Sequence, residues 1–557
     1  MIAVDTKPVE CDVLVTGGGI AGLMAAISAA DAGAKKVVIA EKSDTERSGS
    51  GATGNDHFTC YIPEVHGDDV NLFVEEIDKS LLGGFLDRSL TLVFAKESFD
   101  RVKQWESWGI PMRPHGFWEF TGHAMPGRPR FFLKYAGAPQ KAVLTREALK
   151  RGVTILNRTP IADFIMNKQG EAIGAIGINI AADEPQMKVF RAKNVIVTTG
   201  SANRLYPSRT AGWMFNTANC PANTGSGRAA AYRAGAVLVN LDMPYTHAGP
   251  KYFERSGKAT WIGVLKDASG KPVGPFVTKP SKELGDITAD VWNGVFAMKN
   301  KQGQVVYMDC SETSEEDIQY MFWGFTHEGD TSLIEAMETE GINVRKHMVE
   351  FHQYEPTVNG RGIQINERAE TNVPGLYAAG DEVGNFRGAI AGACVFGHIA
   401  GRNAAARAAA LSGFEEAETS PLVEERINFY SQMLERENGA SWQEANVAVQ
   451  CLMNDYAGVE VRSETLFKTG LEYIGRLKQK AYNTLKCGNS HELMRCLEAV
   501  DLIELGELLM LAANERKETR GKHIRIDHPY TNILNDGKFV TIRKVDGRPH
   551  IEWRKKT

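Results

Sequence analysis

The 557-residue chain is poor in the features that would make it something other than a large globular protein. Its eight cysteines (Cys11, Cys60, Cys220, Cys310, Cys394, Cys451, Cys487 and Cys496) include no Cys-x-x-Cys or Cys-x-x-x-Cys pair. That excludes an iron–sulfur cluster held in the usual way, and buried, reduced thiols are expected. Cys60 stands out because it follows a glycine-rich loop. No apolar run approaches the ~20 residues needed to span a bilayer. The N-terminus has no basic stretch leading into an apolar one, so no signal peptide is expected. A formal net charge of −5 argues against nucleic acid or an anionic membrane as the main partner. No internal repeat or low-complexity tract appears. The histidines show neither helical i, i+4 pairing nor a cysteine partner, so no metal site is expected. A cytoplasmic protein of two or three domains follows, with 43% hydrophobic and 24% charged residues.

What is present begins with "VLVTGGGIAGLMAAISAADAGAKKVVIAEKS". Val13–Val15 reads as a buried strand, residues 23–32 as a helix of small residues, and residues 36–40 as a second strand. Between them Gly17, Gly19 and Gly22 have the Gly-x-Gly-x-x-Gly spacing. The first glycine permits the tight turn, the second lets backbone approach a pyrophosphate, and the third lets helix and strand pack closely. The helix N-terminus offers unpaired N–H groups to phosphate. Glu41, followed by Lys42, lies nineteen residues after Gly22, where a carboxylate accepts both hydroxyls of an adenosine ribose. That carboxylate disfavours a 2′-phosphate, and so NADP.

Two distant segments decide between flavin and nicotinamide. "VPGLYAAGDEVG" is a strand ending at Gly380-Asp381, followed by a helix, "GACVFGHIAGRNAAARAAA". In flavoproteins with two dinucleotide-binding folds, the corresponding acid binds the ribityl chain. "FRAKNVIVTTGSANRLY" supplies a strand end at Thr198, Thr199 and Gly200, which such proteins place near the adenine side. Three separated pieces building one sheet is an FAD pattern.

These residues resemble the flavoprotein subunits of the fumarate reductase/succinate dehydrogenase/adenylylsulfate reductase superfamily, most nearly the adenylylsulfate reductase alpha subunit. "NTGSGRAAAYRAGAVLVNLDMPYTH" places His247 where succinate dehydrogenases carry the histidine of Phe-His-Pro-Thr. "ANERKETRGKHIRIDHP" closely resembles the signature R-x-E-S-R-G-x-H-x-R-x-D-x-P. In covalent relatives the loop after the ribose acid reads R-S-H-S, and its histidine attaches FAD. Here Arg47-Ser48-Gly49-Ser50 has glycine instead, so the resemblance implies non-covalent FAD. His57 lies too far along the chain to take that place.

Departures bear on the substrate. The family's proton-donating arginine belongs to a segment that resembles "ELGDITADVW" (283–292), which has none. The family's H-Y-T-M-G-G loop is replaced by "PTVNGRGIQIN", with Asn359 and Arg361, so two of the usual dicarboxylate handles are missing and a conventional fumarate reductase is not expected. Arg387, His247, Lys251 and Arg255 are the candidates for contacting an anionic substrate, with Trp261 beside them at the flavin face. A second candidate surface is residues 105–132, where Trp108, His115, Trp118 and His123 mix with Arg113, Arg128 and Arg130; a loop packed on the capping domain is the alternative.

The expected fold is α/β: a two-dinucleotide-binding, Rossmann-like FAD domain (1–245 and 350–412), an inserted α+β capping domain (246–349) and a C-terminal helical domain (413–557). The last ends in a strand pair turned at Asp-Gly. "SETSEEDI" reads as a capped, acidic helix start. The resemblance implies an FAD-dependent oxidoreductase that exchanges two electrons with a small anion and passes them to a separate iron–sulfur subunit. Two alternatives stand: a reductase of fumarate-like enoates or organic-acid dehydrogenase, and an electron-transfer subunit with no substrate of its own.

Overall fold

A computed structural model describes all residues except 1, 6, 80–84, 121–129, 209–213, 218, 252–260 and 274–301. The strand Gln186–Val197 is the hub of an eight-stranded sheet. On one side it pairs in parallel with Val9–Thr16, then Val37–Ala40, then Thr154–Leu156. Its N-terminal half pairs antiparallel with Ala172–Asn179, which leads to Ile161–Met166. Its C-terminal half pairs in parallel with Leu376–Ala378, from far along the chain. Val13, Leu14, Val15, Val195, Ile196 and Val197 are fully buried, as a parallel strand covered on both faces requires.

The register is what builds a site. Thr16 pairs with both Ala40 and Val197, and Val197 pairs with Ala378. Four parallel strands therefore end in one row, and the chain leaves them at Glu41, Gly17, Thr198 and Ala379. The row crosses three inter-strand gaps of ~4.8 Å, about 14 Å in all.

Two helices, Ile20–Asp31 and Ala389–Ala410, start from that row and pack together. Alanine-rich composition suits both, since each is buried on most of its surface. They meet backbone to backbone. A Cβ at Gly397 or Gly401 would lie 2.4 Å from the Ala21 carbonyl oxygen or 2.1 Å from that of Ala25. This contact sets the two N-termini side by side.

A second sheet runs Ala248–Pro250, Val349–Gln353, Val306–Asp309, Val264–Asp267, antiparallel throughout. Helices Glu315–Glu328 and Thr331–Thr339 accompany it, and Trp261, Met308, Met321, Phe325 and Phe351 form a core separate from the main one. The acidic stretch starts a helix as expected: Ser314 Oγ accepts the Asp317 N–H, and Glu315, Glu316 and Asp317 fill the first turn.

The C-terminal helices are Pro421–Glu435, Trp442–Ala457, Glu464–Thr484 and Ser490–Glu515. The closing hairpin, Lys538–Val545 and Arg548–Lys555, turns at Asp546-Gly547 with φ +48° and +77°, positive at both central residues. It does not stay with the helices: Lys538–Val545 pairs with Leu238–Val239, which pairs with Gly362–Ile363. No helix among the described residues is long and apolar enough to cross a membrane.

Candidate active site

A cavity of about 660 Å³ runs along the row of strand ends, within the size range of cofactor sites. At one end, Glu41 is 6% exposed; its Oε2 accepts the Gly18 N–H at 2.5 Å and its Oε1 the Ser43 N–H at 2.8 Å. The carboxylate is held in place by backbone. Lys141 braces the turn from behind, donating from Nζ to the Gly18 carbonyl. Burial pushes its ammonium down to about 8, against the pull of Glu41. Gly17 has φ +101°, and a Cβ on Gly22 would lie 1.9 Å from the Gly17 carbonyl oxygen, so the turn admits no larger residue at either place. Lys42 donates to the Ala222 carbonyl and pairs with Glu498 at 2.7 Å. Burial opposes ionisation of Glu498, but Lys42, Arg204 and Arg495 hold its carboxyl well below the usual range.

In the middle of the cavity, Ile20 and Ile390 mark the two helix N-termini. The second glycine loop lies over them, anchored by Gln140, whose Nε2 donates to the Gly51 carbonyl at 2.8 Å. Tyr135 OH fixes that amide by donating to its Oε1 at 2.6 Å. Thr198 Oγ1 donates to the Thr16 and Gly17 carbonyls at 3.0 and 2.8 Å. Thr199 Oγ1 donates to Glu382, beside Gly380 and Asp381.

At the far end, the Arg387 guanidinium lies 4.0 Å from the Tyr245 ring centroid. Lys522 reaches the same ring and donates to the Thr246 carbonyl at 2.8 Å. His247 donates from Nδ1 to the Ala248 carbonyl at 2.7 Å and stacks on Tyr354. Behind them Arg361 is buried, donating to the Met243 and Gly360 carbonyls. Burial, then the charge of Arg387 beside it, push Arg361 down to about 9.

The lining fits a dinucleotide. Ser48 Oγ, Ser50 Oγ, both amide atoms of Asn219, and Asn359 Oδ1 are buried without a hydrogen-bond partner among the described residues, and all of these groups line the cavity. Buried polar atoms are rarely left so, and a polar ligand would satisfy them. A Cβ on Gly19 would meet no protein atom within 4 Å, leaving the approach to the Ile20 helix open.

A family model described as an FAD binding domain matches residues 12–395, and one described as fumarate reductase flavoprotein C-term matches residues 447–557. The chain belongs to the fumarate reductase/succinate dehydrogenase/adenylylsulfate reductase flavoprotein superfamily. It binds FAD and is an FAD-dependent oxidoreductase. It is 24% identical to one subunit of the CoM/CoB fumarate reductase of Methanothermobacter marburgensis, over 96% of this chain and 98% of that one. In fold it resembles adenylylsulfate reductase of Archaeoglobus fulgidus, with a TM-score of 0.84 at 21% identity over 100% and 96% of the chains. It also resembles quinol fumarate reductase of E. coli, at 0.80 and 20% over 100% and 97%. The leaning toward adenylylsulfate reductase is thus a likeness of fold, whereas several sequence relatives are named fumarate reductases.

Within this flavoprotein the structure brings most of the sequence candidates to one cavity. Gly17, Gly19, Glu41 and Lys42 line one end; Arg47, Ser48, Gly49, Thr199, Gly200, Gly380 and Asp381 the middle; His247 and Arg387 the other end. Gly22 lies beneath the turn. Lys251 is not brought there: its ammonium pairs with Glu350 at 2.6 Å, across neighbouring strands. Trp261 is also elsewhere, 1% exposed between Phe325 and Phe351 in the second core. Arg113 pairs with Glu106 and lies on Trp118, and His115 bonds Glu119, so neither reaches the cavity. Arg255, His123, Arg128 and the arginine-free stretch 283–292 lie outside the described residues. Sequence reasoning missed Lys141, Asn219, Glu382 and Arg228. Arg228, fully buried, donates to the carbonyls of Arg361, Gly200 and Asp381, tying three cavity segments to one guanidinium. Nothing local in the sequence marks these four.

Proposed function

We propose that the chain is a catalytic flavoprotein subunit that holds FAD without a covalent bond and exchanges two electrons with a small anion at the Arg387–His247 end of the cavity. The observation that carries this reading is the pairing of Arg387, on the cavity wall, with buried Arg361 beside it. Two guanidinium groups with restricted hydration make an anion the complementary occupant. Bound FAD supplies the two-electron chemistry. Glu41 orients the ribose, the N-termini of Ile20–Asp31 and Ala389–Ala410 face the diphosphate, and Ser48, Ser50 and Asn219 offer hydrogen bonds. Gly49 carries no side chain able to bond the flavin. Glu328, Gly329, Asp330 and Ser332, from the helices beside the second sheet, also line the cavity. Electrons enter or leave through a separate iron–sulfur protein, since no cysteine pattern here holds a cluster.

Among anions, an enoate such as fumarate is favoured over adenylylsulfate, because several full-length sequence relatives of this chain are named fumarate reductases. The test is anaerobic reoxidation of the photoreduced protein by fumarate-like enoates and, separately, by adenylylsulfate. An Arg387→Ala variant should keep its FAD and lose about 100-fold in rate with the active anion, the cost of one charged contact in the transition state. Acid precipitation should leave the flavin in the supernatant. Yellow pigment in the pellet, or an Arg387→Ala variant as fast as wild type, overturns the reading.

A further inference from the structure

Asp56, His57 and Glu328 form a cluster at the cavity that Arg387 and His247 also line. His57 and Glu328 line it, and single side-chain atoms of all three lie within 4.8 Å of one another. Asp56 is fully buried; its Oδ1 receives His57 Nδ1 at 2.5 Å and its Oδ2 the Tyr320 OH at 3.2 Å. The ring is held from several sides. The strand His57–Thr59 pairs with Phe132–Lys134, the Phe132 edge meets the imidazole at 5.2 Å, and Asn55 Nδ2 donates to the His57 carbonyl. An imidazole whose Nδ1–H is fixed on a buried carboxylate presents Nε2 as its exchangeable nitrogen, the arrangement of a general acid–base pair.

We propose that His57 is the proton donor and acceptor of the reaction, with Asp56 as the residue that positions it. This rests on the enoate reading above. Saturating a carbon–carbon double bond takes one hydride, which bound reduced FAD would supply, and one proton. That proton comes from His57: its Nε2–H bond breaks as the substrate C–H bond forms, and the imidazole becomes neutral with Nδ1–H still on Asp56. Glu328, with a side-chain atom within 4.8 Å of one on the ring, returns the proton through a bridging water. In the dehydrogenase direction the same steps reverse. The charged and titratable groups around the ring come from every neighbouring element: Glu328 and Tyr320 from Glu315–Glu328, with His327 stacked on Trp323 of that helix, Asp330 just beyond it, and Lys134 from the partner strand, engaged with Glu119 and the Trp323 face. Asp56 bonds Nδ1 directly, so its removal releases the ring's orientation.

The experiment uses FAD-loaded protein and three variants, His57→Gln, Asp56→Asn and Glu328→Gln, each checked for flavin content and melting temperature. The visible flavin spectrum is titrated from about pH 5.5 to about 9, alone and with malonate as an unreactive dicarboxylate. Wild type should show a one-proton step that is absent in His57→Gln. In Asp56→Asn reoxidation of the reduced flavin by an enoate should slow while malonate affinity holds, because the ring loses the carboxylate that orients it. Where an enoate reoxidises the reduced flavin, His57→Gln should slow that step about 100-fold at unchanged malonate affinity. A His57→Gln variant that keeps the spectral step, or reoxidises at the wild-type rate, overturns the assignment. So does a stoichiometric divalent metal lost in all three variants, which would make the cluster a metal site. If no enoate reoxidises wild type, the substrate reading fails, while the spectral step still decides whether His57 titrates against the flavin. If His57→Gln does not fold, His57→Asn takes its place.

Discussion

Glu382 should make the protein less stable as pH rises toward neutrality. Its side chain is fully buried beside Asp381, Oε1 accepts the Thr199 hydroxyl, and Oε2 has no partner among the described residues. Arg228 helps only through space, because its hydrogen bonds go to carbonyl groups. Burial outweighs that help and raises the carboxyl from 4.5 to about 7. A folded-state value above the unfolded one means that the native state holds the proton more tightly. The contribution is therefore complete below pH ~4.5 and is lost as pH climbs through ~7. A shift of this size corresponds to roughly 3 kcal/mol. With an unfolding entropy of about 2.1 cal/mol/K per residue, a chain this long converts that into roughly 2–3 °C of melting temperature. The assay is a set of thermal and urea unfolding curves at saturating FAD between about pH 4.5 and 8.5, for wild type and Glu382→Gln. The amide keeps an acceptor for Thr199 and cannot ionise. The variant should match wild type near pH 4.5 and exceed it by a growing margin up to about pH 8. Lys141, Arg361 and Asp501 titrate in both proteins, so the difference between the curves isolates Glu382. Parallel curves would refute the argument.

Gly22→Ala should purify with little flavin, because the new Cβ would fall 1.9 Å from the Gly17 carbonyl oxygen and 2.8 Å from Thr198 Oγ1; the ratio of flavin to protein absorbance reads this directly. Asp242→Ala should cost about 1–3 kcal/mol in urea unfolding, since it removes one of two buried carboxylates from Arg516 and leaves Glu518 at 2.7 Å.

The parts of the fold legible in the sequence are those whose chemistry is local. Gly17, Gly22 and Glu41 could be read because a tight turn, a close helix–strand approach and a strand-end carboxylate each need particular residues within a short window. The Asp546-Gly547 turn was legible for the same reason, since both residues take positive φ. Its sheet was not: Leu238–Val239 lies some 300 residues away, and nothing in either segment names the other. The errors have one physical origin. The chemistry of Trp261 suits a flavin face and that of Arg113 suits either an anion or a packed loop, but the first fills an aromatic core and the second is satisfied by Glu106 and Trp118. Conversely, Glu382 and Arg228 look ordinary in sequence and acquire their properties only through burial.

The second glycine loop shows why some glycines here answer to two neighbours. A Cβ on Gly51 would press within 2.8 Å of Ile20 and 3.2 Å of Ile390, at the starts of the two helices that face the cavity. A Cβ on Gly54 would fall 2.2 Å from the carbonyl oxygen of His327, and one on Gly329 would fall 2.4 Å from Thr53 Cβ. The loop is thus pinned between the paired helix N-termini on one side and the end of Glu315–Glu328 on the other, with main chain against main chain at the latter contact. That helix carries Tyr320 and Glu328, and the loop leads directly into Asp56 and His57. The seat of the second sheet's helix and the wall of the FAD cavity are therefore one piece of structure. Bulk added at Gly54 or Gly329 parts them together, which is why small residues are required at both points, each of which lines the cavity.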